Sequence, residues 1–149
     1  MKDCIVVTGA SSGIGLACAK RLASEGHEVV NLDVREPEGD ANRFPFVKTD
    51  VRNRDSVDAA FETAAHGRVI AGLVNNAGIS VAASLEDTTE DDIRRGISVN
   101  LEGAIRCTQV AIRSMKTLGR GRIVNIASRT ALGRKQRSVY AATKGGLYR

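Results

Sequence analysis

The stretch Ile5-Val6-Val7-Thr8-Gly9-Ala10-Ser11-Ser12-Gly13-Ile14-Gly15 joins a short apolar run to three glycines and then to a helix-forming segment. Short apolar runs are how the strands of a parallel sheet, buried on both faces, read in a sequence. Glycines at 9, 13 and 15 suit a tight turn where backbone approaches a neighbour closely. A helix starting near Ser12 aims its first free N–H groups at whatever anion lies over that turn. The stretch therefore predicts a strand, a turn and a helix that seat a pyrophosphate, with Gly9, Ser11, Ser12, Gly13, Ile14 and Gly15 around it. Its glycine spacing departs from the GxGxxG of the usual nucleotide-binding unit. A glycine corner with no ligand is the plainer alternative.

Leu16, Ala19, Leu22 and Ala23 mark the apolar side of the helix, which Gly26 ends. A second strand over 28–32 closes at Asp33 and completes a compact strand–helix–strand unit. A carboxylate at that strand tip can accept both ribose hydroxyls of an adenosine and repels the extra phosphate of NADP. Arg35 nearby pulls the other way, and a strand-end turn explains Asp33 without any ligand. Residues 36–43 read as a loop, and 44–49 as a weak third strand followed by Asp50 and Val51, within reach of an adenine ring. Capping explains Asp50 about as well.

Asn53 caps the next predicted helix, whose buried stripe is Val57, Ala60, Phe61 and Ala64, and Gly67 breaks it. A fourth strand over 69–74 runs into Asn75-Asn76-Ala77-Gly78. Two asparagines after a buried strand are costly unless their amides are hydrogen-bonded. They either fix the backbone beside a ligand or make a mere turn. From Thr89 onward, acidic residues open a long helix in which Ile93, Ile97, Leu101, Ile105 and Ile112 follow helical spacing. Asn100 interrupts it, which calls for a local bend or a held water. A fifth strand over 123–127 delivers Ser128. Five strands with helices between them predict an α/β fold, a Rossmann-like doubly wound parallel sheet covered on both faces.

Tyr140 and Lys144 are four residues apart, so a helix puts both on one face. A phenol is a poor proton shuttle at neutral pH, and an ammonium held beside it favours the phenolate. Ser128 can hydrogen-bond a substrate oxygen on which charge develops. The three together suit hydride transfer between a nicotinamide and an alcohol or carbonyl carbon. Singly, each residue is ordinary surface chemistry.

Thr8 to Gly15, Asp33, Asp50, Asn75 to Gly78, Asn100, Ser128 and Tyr140-Ala141-Ala142-Thr143-Lys144 together resemble the classical short-chain dehydrogenase/reductase family in kind, order and spacing. The resemblance implies a catalytic tetrad of Asn100, Ser128, Tyr140 and Lys144, with Asn100 holding a water that relays protons from Lys144. It also implies that Tyr140 and Lys144 contact the nicotinamide ribose, that Asn76, Ala77 and Gly78 line the cofactor cleft, and that Asp33 prefers NAD over NADP. The absence of a basic residue at Ser11 and Ser12 agrees with that preference. Family members pair the helix through Asn100 and the Tyr140 helix across a two-fold axis, which implies a homodimer or homotetramer. They also continue well past Lys144. Residues 1–149 are thus expected to form one dinucleotide-binding domain, the N-terminal portion of a longer member, with the specificity-setting segment outside it. A nucleotide-binding module without turnover is the alternative.

Composition excludes other classes. With 149 residues there is room for one domain with a sizeable core. A formal charge of +5 invites a nucleic-acid reading, but aromatics make up only 3% and the basic residues form no recognition motif. Cys4, Cys18 and Cys107 sit in apolar contexts without metal-ligand spacing, so they read as small buried hydrophobes in a reducing compartment, and no metal site is expected. No signal-like apolar stretch and no long apolar span occurs, so the expected setting is the cytoplasm, with no membrane partner.

Overall fold

A computed structural model describes residues 2–148. Strand β1 (Lys2–Thr8) leads through the glycine turn into helix α1 (Gly13–Ser24), β2 (Glu28–Asp33) and the short β3 (Phe46–Lys48). Helix α2 (Arg54–Ala65) connects to β4 (Arg68–Asn75), helices α3 (Glu90–Ile97) and α4 (Gly103–Leu118) connect to β5 (Arg122–Asn125), and α5 (Ser138–Gly145) follows. All pairings are parallel and the sheet order is β3-β2-β1-β4-β5. The chain therefore leaves β1 toward one edge and returns to β4 on its other side. In open parallel sheets the crevice at such a reversal, beyond the carboxyl ends of the strands, is where ligands bind.

Alternation along β1 divides the core. Cys4 and Val6 join Val30, Leu32, Ile70 and Leu73 beneath α2 and α4, whose Val57, Ala60, Phe61, Ala64, Cys107, Ala111 and Met115 fill that side. Val7 faces the other way with Val29, Val74 and Phe44, against Ala19 and the half-buried Leu16, Leu22 and Ala23 of α1. The α2 stripe is the one its spacing predicts. Asn53 caps α2, its Oδ1 accepting from Ser56 N at 3.0 Å. Thr89 opens α3 with a reciprocal capping box to Asp92.

Three expectations need correction. The stretch 36–43 is not all loop, because Gly39–Arg43 winds into a 3-10 helix that buries Ala41. The fifth strand ends at Asn125, so Ser128 lies in the loop beyond it. The ladder continues only through Ile126 N, which donates to Asn75 O at 2.9 Å. Along α3 and α4 the isoleucines are not the inner face: Gly96, Asn100, Gly103, Cys107, Ala111 and Met115 are buried, while Ile105 is 50% exposed. Small residues face inward because the helix lies close. A Cβ on Gly103 would stand 2.8 Å from Val51 Cγ2. No helix among the described residues is long and apolar enough to cross a membrane.

Candidate active site

The glycine turn is held from beneath by β2. Buried Asn31 accepts from Ala10 N at 3.1 Å and donates to Ser11 Oγ at 3.0 Å. Asp33, also buried, accepts from Ser11 N and from Arg35 N, each at 3.0 Å. The turn closes on the next strand through Asn76, whose Nδ2 donates to Thr8 O at 2.9 Å and Gly9 O at 3.1 Å. Thr8 Oγ1 in turn accepts from Asn76 N and Ala77 N and donates to Val74 O at 3.3 Å. Asn75 donates to Thr108 Oγ1 at 3.0 Å and to Asn125 Oδ1 at 2.9 Å, tying β4 to α4 and β5. Both asparagines are structural clamps, and Asn76 is a cleft residue as well.

Above this turn lies an open cleft of about 640 Å³. Gly9, Ser12, Gly13, Ile14, Asp33, Asp50, Val51, Asn76, Ala77 and Gly78 line it, together with Arg35, Arg52, Ser80, Arg95 and Val99. Of the sequence-predicted cofactor residues, Ser11 borders a smaller adjoining cavity. Gly15 lies beneath the turn, where a Cβ would meet Gly9 O at 2.2 Å and Asn76 Nδ2 at 2.5 Å. The backbone there has no room for any side chain, and the first amides of α1 are left free to face an anion. A dinucleotide fits this construction: Gly13 and Ser12 at the helix mouth would hold the diphosphate, and Asp33 the adenosine ribose. Asp50 is engaged by Arg52 through both carboxylate oxygens, and that guanidinium holds its carboxyl below the usual range.

Asn100, Ser128, Tyr140 and Lys144 do not themselves line this cleft, but Asn100 Oδ1 and Lys144 Nζ stand behind its Gly78, 3.2 and 3.6 Å from where a Cβ there would be. Asn100 is 1% exposed and sits in a π-helical turn, Ser98–Glu102, between α3 and α4. It grips the loop after β4, accepting from Ile79 N at 2.8 Å and donating to Ile79 O at 2.9 Å. Its second amide hydrogen reaches Thr143 Oγ1 of α5 at 3.1 Å. The polar side chain in mid-helix thus makes the local bend, and the π turn is its backbone expression.

Lys144 is 3% exposed, and its ammonium donates to Ile126 O at 2.7 Å. The same nitrogen is 5.9 Å from the centroid of the Tyr140 ring and 3.6 Å from where a Cβ on Gly78 would be. Burial pushes the Lys144 pKa below its ordinary 10.5. Ser128 caps a short 3-10 turn, Arg129–Leu132, its Oγ accepting from Thr130 N at 3.1 Å. Asn100, Lys144 and Tyr140 are therefore brought together by direct or near contacts, and Ser128 arrives on the loop that follows Ile126.

Sequence reasoning missed Asn31 and Thr143. Asn31 carried a signal, being a polar residue inside the apolar run of β2. Thr143 looked like an ordinary helix residue between Tyr140 and Lys144.

Comparison with known proteins agrees with this geometry. A family model described as short chain dehydrogenase matches residues 3–149. A 3-oxoacyl-[acyl-carrier-protein] reductase, MabA, of Mycobacterium avium is 42% identical over 145 residues, covering 96% of this chain and 56% of that protein. An NADP-dependent (R)-specific alcohol dehydrogenase of Lentilactobacillus kefiri is 37% identical over 154 residues, covering 95% of this chain and 61% of the relative. The ligand-free structure of Thermoplasma acidophilum aldohexose dehydrogenase superposes with a TM-score of 0.89 at 35% identity, covering 97% of this chain and 56% of that one. The chain spans little more than half the length of these relatives. With a family model matched along nearly its whole length and the strand order and turn described above, the chain belongs to the short-chain dehydrogenase family.

Proposed function

We propose that this chain carries the cofactor-binding and proton-transfer parts of an NAD(H)-linked oxidoreductase that interconverts an alcohol and a carbonyl compound. The observation that carries the reading is the buried Lys144 ammonium, which has no carboxylate partner among the described residues, reaching Gly78 of the cleft beside the Tyr140 ring. A buried cation without a counter-ion is costly, and such perturbed groups concentrate where chemistry is done. The nicotinamide, when bound, supplies the hydride. Tyr140 exchanges the proton with the substrate oxygen, Lys144 stands beside its ring, and Ser128 hydrogen-bonds the same oxygen. Asn100 and Thr143 hold α5 against the loop after β4, which keeps those groups in register.

For the cofactor, Asp33 favours NAD, since a carboxylate lining the adenosine end of the cleft repels a ribose phosphate. One observation favours NADP instead: the Arg35 guanidinium stands at the same rim, donating to Ser12 Oγ at 2.9 Å. Glu36 and Glu38 border the adjoining cavity with Arg35 and Lys48, so the charges there offset one another and the buried Asp33 decides. The expected result of fluorescence titration is tighter binding of NADH than NADPH. Asp33→Ala should weaken NADH roughly tenfold to a hundredfold, the scale of hydrogen bonds to a charged group. Tighter NADPH binding by the unaltered chain would overturn the NAD assignment. Turnover is tested by following NADH absorbance with a panel of carbonyl compounds. Tyr140→Phe should abolish it and leave cofactor affinity in place.

A further inference from the structure

The loop between β5 and α5 contributes a feature that the proton-transfer reading does not use. All 17 Asp and Glu side chains lie at or before Glu102, while half of the 22 Lys and Arg lie after it. Within that basic half, Arg129, Arg134, Lys135 and Arg137 fall on the segment that links Ser128 to Tyr140. Three of the four project into solvent, but Arg137 is half-buried. Its Nη1 donates at 2.6 Å to the hydroxyl of Ser80, a residue lining the cofactor cleft. Next to it, Ala83 N donates to Gln136 O at 3.2 Å, so the loops after β4 and β5 are joined across the mouth of the site. Gln136 has φ 58, a left-handed backbone that a side-chain-bearing residue rarely adopts. Strain of that kind persists where surrounding contacts fix it, and here it sets the approach of Arg137.

Arg137 is also the residue before α5, and its carbonyl accepts the bond from Ala141 N at 2.7 Å. It thus stands one turn ahead of Tyr140, between the catalytic helix and the cleft lip. Through Ser80 its guanidinium touches the lining of the cleft on the side from which α5 carries Tyr140. The single polar partner of its guanidinium among the described residues is a neutral hydroxyl, and none of the ion pairs among those residues includes it. A guanidinium forks onto a planar carboxylate with two parallel bonds, a match that a serine hydroxyl does not exhaust.

We propose that Arg137 is a specificity-determining residue that receives the carboxylate of an anionic substrate, so that the carbonyl compound acted on is an oxo acid. The proposal rests on the oxidoreductase reading above. The test compares oxo acids, with one to four carbons between carbonyl and carboxylate, against the methyl ester of each. The expected result is an acid of one spacing preferred over its ester by roughly tenfold to a hundredfold in kcat/KM, carried mainly by KM. Arg137→Gln, which keeps a donor for Ser80, should bring that ratio close to one, and Arg137→Lys should restore part of it. Equal handling of acids and esters, or a preference that survives Arg137→Gln, would overturn the assignment and leave the oxidoreductase reading standing. If neither acids nor esters are turned over, the oxidoreductase reading fails, and calorimetric titration of the same acids and esters decides for Arg137. Acid binding that disappears in Arg137→Gln supports the site, and its absence refutes it.

Discussion

Lys144 is costly to the fold, and that cost has a pH signature. Its ammonium is almost wholly withdrawn from water, with a carbonyl as its hydrogen-bond acceptor. Desolvation penalises the charged form, so the folded-state pKa lies below the unfolded value of 10.5. Below the lowered pKa both states carry the proton and the folded state bears the full penalty. As pH rises from the lowered pKa toward 10.5, the unfolded chain holds more protons than the folded one, and stability rises. Lys144→Met should therefore be relatively more stable than the unaltered chain at pH 7, with the gap narrowing toward pH 10.5 in urea titrations. The same variant should lose turnover by about 10²–10⁴-fold, the usual contribution of proton-transfer assistance. A gap independent of pH would show that the ammonium is not desolvated. The Tyr140–Lys144 pair was legible from its spacing alone, because i and i+4 meet on any helix. The grip of Asn100 on Ile79 was not, because its partner is a loop backbone whose position no local pattern encodes.

Among the elements, the turn between β1 and α1 tolerates least. A side chain on Gly15 has backbone on one side and the Asn76 amide on the other. Gly15→Ala should force the turn off Asn76, costing about 1–3 kcal/mol of stability as overpacking does, and should remove dinucleotide binding. Thr89→Ala is the control: loss of the α3 cap costs about 1 kcal/mol, far from the turn, with affinity for the dinucleotide retained. If both variants weaken the dinucleotide equally, the turn is not the seat of the diphosphate. The strand–turn–helix, the α2 stripe and the caps at Asn53 and Thr89 were readable because each is a local rule obeyed by adjacent residues. Helix α4 was misjudged for the opposite reason. Its large isoleucines drew the eye, but close packing on Val51 and the sheet selects Gly103, Cys107 and Ala111 for the inner face. The 3-10 helix at Gly39–Arg43 has too few residues to show a period.

For the molecule as a whole, what the sheet and helices leave uncovered matters as much as what they bury. A parallel sheet followed from alternating apolar runs and helices, whereas the order of its strands did not. Strand β5 is an edge, with Val124 50% exposed, and α4 presents Ile105, also 50% exposed, to solvent. The family resemblance implies that two copies pair through α4, and its 16 residues offer a longer strip than the four of β5. Sedimentation velocity at micromolar concentration should show a dimer or larger assembly for the unaltered chain. Ile105→Lys should shift it to monomer with the same far-ultraviolet dichroism, because the side chain points away from the core. Val124→Lys separates the alternatives. If it dissociates the assembly and Ile105→Lys does not, the contact runs along the strand edge and the expected pairing through α4 falls.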